Sequence, residues 1–271
     1  MKKLLILLIC LVVPVYAADE ESENNTKKPE KTERPKVNYP VSQQRLFDQD
    51  LTKYIPEAEV AWLGDKDNRF LTLWSEQTTA NPKGTSWIFA DTDTSANNPH
   101  LIQTLRLSLN DKGFHTYSVS PMSNQIKRED IEAQLLVQIQ VLESKLSNKI
   151  GRRLLILQGS NAASIINVLA NNKDIKADAV VLLGAHDNDA KVMKQMAKNI
   201  ATMLIPVLDL YQTSDASNVQ YFVEERLVIA RRSLKQNYRQ TEIIGLPAQQ
   251  ATQLATSQTI YGWLKSLGWY N

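Results

Sequence analysis

The chain has a single cysteine, Cys10, and only three histidines and nine glycines in 271 residues. Cys10 lies within the first apolar run, so a chain that loses this run keeps neither thiol nor disulfide. That excludes a cysteine nucleophile, an iron–sulfur cluster and a thiolate zinc site. It also leaves the fold to rest on its core alone, in any redox compartment. Nine glycines fall below the usual roughly 7%. The sequence has no glycine-rich loop to cradle a phosphate, which argues against a P-loop or a dinucleotide fingerprint. Charge of one sign is missing too. Without residues 1–17 and their two lysines, 29 basic side chains face 29 acidic ones. No basic excess points to nucleic acid or to an anionic surface.

Long apolar runs are equally scarce. Leu4 to Val13 is unbroken, but it is shorter than the roughly 20 residues a bilayer span needs, and no later run is long enough. With Lys2 and Lys3 before it and Val15-Tyr16-Ala17 after it, this run reads as a cleavable signal peptide over residues 1–17. The expectation is an exported, periplasmic chain beginning at Ala18, with no stable membrane span after cleavage. Leu7-Leu8-Ile9-Cys10 loosely fits a lipoprotein box. Ile9 is bulky where such boxes take a small residue, and the apolar run continues past Cys10, so lipidation is not expected.

Residues 18–40 are charged, carry prolines and hold little apolar surface to offset ordering entropy. They are expected to form a disordered linker, either an inert leader or a partner-binding tail. From residue 41 to 271 the composition is that of one globular domain of about 230 residues, enough for a sizeable core.

Within it, helical and extended patterns alternate. Helices are expected over 42–54, 99–109, 126–150, 161–170, 190–203, 219–234 and 248–267. Strands are expected over 59–63, 70–74, 86–90, 114–119, 153–157, 179–183, 207–211 and 239–244. Gly64 to Asn68 is a turn signal that makes the first two strands a hairpin. Runs such as Leu154 to Leu157 and Ala179 to Leu183 are apolar at every position, as strands covered on both faces are. The fold class is therefore α/β, a mostly parallel sheet with helices on both faces and an antiparallel N-terminal hairpin. Ligands in such folds bind at the carboxyl ends of the strands. Trp62, Trp74 and Trp87 belong either to the sheet core or to a ligand platform; Trp263 and Trp269 pack the last helix.

The segment Leu154-Leu155-Ile156-Leu157-Gln158-Gly159-Ser160-Asn161-Ala162-Ala163 runs from an apolar strand through small residues into a helix. This is the setting of a nucleophile elbow, where small neighbours let the chain turn sharply. Here the chain resembles the α/β-hydrolase superfamily. More closely, it resembles a group of exported proteobacterial α/β-hydrolase-like proteins defined as a domain of unknown function. The resemblance spans residues 43–268. It is carried by QQRLFDQDLTKYIPEAEVAWL, KGFHTYSVSPM, LLILQGSNAAS, IPVLDLYQTSDA and YRQTEIIGLPAQQATQLATSQTIYGWLKSLGW.

The resemblance implies an α/β-hydrolase-like fold and places the catalytic positions. The elbow nucleophile maps onto Asn161, whose amide cannot do the work of a hydroxyl in acyl transfer. Ser160 lies one place earlier. The oxyanion loop maps onto Ala90-Asp91, where a carboxylate opposes a developing oxyanion. The acid maps onto Asp215. The histidine should fall within Gly245 to Gln249, which contains none; His100, His115 and His186 lie elsewhere. A complete Ser-His-Asp triad is thus not expected.

Besides a purely structural envelope protein whose tether and domain hold partners together, two readings follow. One is a non-catalytic protein that binds a small molecule or another envelope protein at the carboxyl edge of the sheet. The other is an esterase or amidase with a non-standard constellation of Ser160, His186 and Asp215. Ser160 and Asp215 can alternatively cap the helices that follow them, and His186 can be a locally bonded surface residue. Asp91 and Asp93 with His186-Asp187-Asn188-Asp189 could offer oxygen ligands to a hard cation; the alternative is a solvated acidic loop. No cofactor or metal is implied.

Overall fold

Eight strands form one sheet in the order β1-β2-β4-β3-β5-β6-β7-β8. They are β1 Val60–Leu63, β2 Phe70–Ser75, β3 Gly84–Phe89, β4 Phe114–Val119, β5 Arg152–Gln158, β6 Ala179–Leu183, β7 Val207–Gln212 and β8 Tyr238–Ile243. This computed structural model describes residues 43–65, 68–92, 94–122, 126–146, 151–215 and 217–270. The expected signal peptide and linker lie outside them, as does Asp93. β1 pairs with β2, and β2 with β4, antiparallel. The pairs from β4 through β3, β5, β6 and β7 to β8 are all parallel. The sheet is therefore mostly parallel, with the antiparallel hairpin at one edge.

Seven α-helices accompany it among the described residues: α1 Gln43–Tyr54, α2 Ile102–Asn110, α3 Arg128–Leu146, α4 Asn161–Asn171, α5 Ala190–Thr202, α6 Ser217–Arg232 and α7 Gln250–Ser266. Their order follows the expected alternation, with ends shifted by a few residues. The helix expected from Pro99 begins only at Ile102. Asn98 turns the chain there, its Oδ1 accepting the His100 N–H and its carbonyl the Gln103 N–H.

Alternation along β5 shows how the two cores form. Leu155 and Leu157 face one side with Trp87, Phe89 and Val180, against Leu135, Ile139 and Leu142 of α3 and Ile165 and Ile166 of α4. Leu154 and Ile156 face the other side with Ile88 and Val181, against Ile102 and Leu105 of α2 and Ile260 and Trp263 of α7. Both faces are covered, so every position of the strand is apolar. A smaller cluster of Leu71, Leu73 and Ala96 lies near the hairpin edge, with Leu51 of α1 packed on it. Trp87, Trp263 and Trp269 are core residues, Trp74 packs on the core, and Trp62 is half-buried on β1.

Candidate functional site

The carboxyl ends of β3 and β5 lie side by side, because Phe89 and Leu157 are register partners. At the end of β5 the chain turns from strand to helix within two residues. β5 runs through Gln158, one residue beyond the expected end, and Gly159 follows at φ +61°. That left-handed backbone belongs to the residue at a nucleophile elbow, and glycine adopts it without strain. The turning residue is thus Gly159, and the assignment of the elbow position to Asn161 is corrected. Asn161 is the first residue of α4; its buried side chain donates from Nδ2 to the Ala90 carbonyl at 2.8 Å. The signal for the right position was a glycine placed directly after an apolar strand, the residue type best able to take positive φ.

Beside this turn stands Asp91. Its Oδ1 accepts the Ser160 N–H at 2.9 Å, the Ser160 hydroxyl at 2.7 Å and the Thr92 N–H at 2.8 Å. In a hydrolase elbow, the oxyanion is bound by the N–H of the residue after the nucleophile and an N–H of the loop after the third strand. Ser160 and Thr92 supply N–H groups at those places. Both point at the chain's own carboxylate, so Asp91 takes the role of the oxyanion rather than repelling one. Asp91 lies in the loop after β3, as the mapping has it, and its carboxylate occupies both N–H groups. A Cβ added to Gly159 would meet Asp91 Oδ2 at 1.9 Å. The space of a nucleophile's side chain is therefore filled by the same carboxylate.

Ser160 occupies the N-cap position of α4, but its side chain makes no capping bond. Its hydroxyl instead meets Asp91, and the Thr92 hydroxyl at 2.9 Å. The alternative reading of Ser160 as a side-chain cap of α4 is thus not met, since its hydroxyl is turned to Asp91 and Thr92 instead.

The acid position behaves differently. Asp215 follows β7 and accepts the Gln212 N–H on Oδ2 at 2.7 Å. This bond looks back to β7, not forward to α6. Burial raises the Asp215 carboxyl above the ordinary range, while the Gln212 N–H and the nearby His186 imidazole pull it down. His186 follows β6; its ring Nδ1 pairs with the Gly184 carbonyl at 2.9 Å, and its backbone N–H donates to the Gly159 carbonyl at 3.3 Å. The structure thus brings His186 near Asp215, whereas the Ser160 hydroxyl is engaged by Asp91 and Thr92. A small cavity of about 70 Å³ lies beside Asp215, lined also by Gln158, Gly184 and Pro247. Pro247 belongs to the loop between β8 and α7, where the family pattern places a histidine.

The other histidines are elsewhere. His115 sits in the row of Thr85 and Arg153 near the start of the parallel strands. Gly159 is six residues farther along β5, roughly 20 Å at about 3.3 Å per residue. His100 is exposed in the loop before α2. The acidic residues after β6 make local bonds. Asp187 Oδ1 accepts from Arg128 at 2.6 Å and from the Asp189 N–H at 2.7 Å, and Asp189 caps α5 through the Lys191 N–H. Among the described residues, no three His, Cys, Asp or Glu side chains gather to hold a metal.

Sequence reading missed one buried network. Arg226 of α6 donates from Nε and Nη2 to both oxygens of Asp209 on β7, at 2.7 and 3.1 Å, with both residues fully buried. Tyr238 and Gln240 of β8 also donate to Asp209, and Arg226 reaches the Ala185 carbonyl at 3.3 Å. This network anchors the residue before His186 from below. An aspartate inside VLDLY and an arginine inside an amphipathic helix were its only sequence traces.

A mostly parallel eight-stranded sheet in this order, with the sharp β5–α4 turn at its carboxyl edge, defines an α/β-hydrolase fold. Similar solved structures agree. Thermogutta terrifontis esterase 2 phosphoramylated by tabun has a TM-score of 0.61 at 10% identity, covering 80% of this chain and 98% of its own. Ferulic acid-bound Est1E from Butyrivibrio proteoclasticus scores 0.58 at 13% identity, with 77% and 100% covered. Dienelactone hydrolase from Anabaena variabilis scores 0.56 at 12% identity, with 76% and 96% covered. No curated protein matches the chain by sequence. The chain belongs to the family described as "Protein of unknown function (DUF3530)", whose model matches residues 2–127 and 122–266.

Proposed function

We propose that this protein is a periplasmic, non-catalytic member of the α/β-hydrolase superfamily that lacks a working Ser-His-Asp triad. It binds a small molecule or another envelope protein at the carboxyl edge of its sheet. The observation that carries this reading is the Asp91 carboxylate, bonded to the Ser160 and Thr92 N–H groups where an acyl oxyanion would need them. Glycine at the turning position supplies no nucleophile, and the loop after β8 supplies no base. Export rests on the sequence features of residues 1–17. Fractionation by osmotic shock with amino-terminal sequencing tests it: the expected product starts at Ala18, and full-length chain in the inner membrane contradicts it.

A second reading has one observation behind it. Ser160 Oγ lies 2.7 Å from a carboxylate, and the similar folds include esterases, so Ser160 could act as a nucleophile with Asp91 as its base. One experiment decides between the two. Purified protein is assayed with p-nitrophenyl acetate and butyrate beside Ser160→Ala. The binding reading expects both proteins to match buffer; turnover by the wild type that Ser160→Ala abolishes establishes the esterase.

A further inference from the structure

A cleft of about 640 Å³ opens between α1, the β1–β2 hairpin and α3, where the chain leaves β4. It lies apart from the Asp91–Gly159 turn and within the roughly 300–1,000 Å³ of small-molecule sites. Its walls carry a high density of primary amides, among them Gln44, Gln134 and Gln138.

Gln138 is the informative one. On α3 the buried stripe runs Leu135, Gln138, Ile139, Leu142, at the spacing of one helix face. Gln138 interrupts that stripe with a polar group only 7% exposed. It lines the cleft, and its amide has no hydrogen-bond partner among the described residues. That amide is not sealed from the cleft, so it can pair with an occupant that both gives and takes hydrogen bonds. Water meets that need in the free protein, and a hydroxylated ligand can replace water with the same donors and acceptors.

The opposite wall repeats this chemistry. Asp48 is buried, and Gln44 donates from Nε2 to Asp48 at 3.0 Å and to the Ser120 hydroxyl at 2.8 Å. The Ser120 hydroxyl bonds Asp48 in turn. Two cations, Arg45 and Arg69, also line the cleft, and the Arg69 guanidinium lies 5.0 Å over the Trp62 ring. Trp62, Phe70 and Met122 add apolar surface to the same cleft.

We propose that this cleft binds a saccharide, with Gln138, Gln134 and Asp48 meeting ring hydroxyls and Trp62, Phe70 and Met122 receiving its C–H surface. The proposal deepens the binding reading above and rests on it.

Calorimetric titration of the exported protein with cellobiose, chitobiose and trialanine tests this. At least one disaccharide should bind at millimolar concentration or tighter, trialanine should not, and Gln138→Leu should weaken the disaccharide at least tenfold. Gln134→Ala, at a half-buried position, serves the same test if Gln138→Leu does not fold. Absence of disaccharide binding overturns the proposal, as does binding that neither variant changes. Tighter binding of trialanine also overturns it and assigns the cleft to peptide. Ester turnover is read on separate samples, so saccharide failure is distinguishable from failure of the non-catalytic reading.

Discussion

Gly159 and Asp91 fit each other as a pair. Gly159 cannot take a side chain while the carboxylate stays, and its φ of +61° penalises any other residue. Gly159→Ser should therefore destabilise by about 1–3 kcal/mol from backbone strain, with the clash added. Asp91→Ala orphans two N–H groups and should cost about 1–3 kcal/mol. Made together, the two changes should cost less than their sum, since the second removes the clash of the first. Urea denaturation of the four proteins in a double-mutant cycle measures that coupling; strict additivity contradicts it.

Asp48 gives a pH dependence of the same local kind. Burial raises its carboxyl above the ordinary range, although the Ser120 and Gln44 bonds pull it down. The fold thus favours the protonated form. Its contribution is fully present below the unfolded value of about 3.9 and is lost as pH rises through the raised folded value. Asp48→Asn should gain stability relative to the wild type on going from pH 3.5 to pH 7. Urea midpoints at both pH values check this, and a constant difference between the two proteins contradicts it.

At the scale of elements, the Arg226–Asp209 pair joins α6 to β7, with β8 supplying Tyr238 and Gln240. Removing one partner of a buried pair leaves an uncompensated charge, at a cost of about 3–5 kcal/mol. Asp209→Ala should lose about that much in chemical denaturation. A loss within about 0.5 kcal/mol, typical of surface changes, contradicts the network. This network was not legible in the sequence, because single charged residues within a strand and a helix carry no pairing information. The strands themselves were legible. Unbroken apolar runs such as Ala179 to Leu183 fit strands of a parallel sheet covered on both faces, and the turn signal after Leu63 fits the β1–β2 hairpin. The exact turning residue was not. Gly159, Ser160 and Asn161 are all small or polar, and only the end of β5 at Gln158 decides which one turns.

For the molecule as a whole, alternation of strands and helices was enough to fix the α/β arrangement and its carboxyl edge. The absence of a histidine after the last strand also pointed away from a complete triad. What the sequence could not carry was the contact across that edge: Asp91 follows β3 and Ser160 follows β5, 69 residues apart. Their meeting depends on parallel pairing of β3 with β5. That contact is decisive for the proposed binding role, since the Asp91 carboxylate takes the Ser160 and Thr92 N–H groups that an oxyanion would need. Intact-mass analysis of the wild-type protein after exposure to a serine-reactive fluorophosphonate tests it most directly. The account predicts an unmodified mass, whereas one adduct that maps to Ser160 and disappears in Ser160→Ala contradicts it.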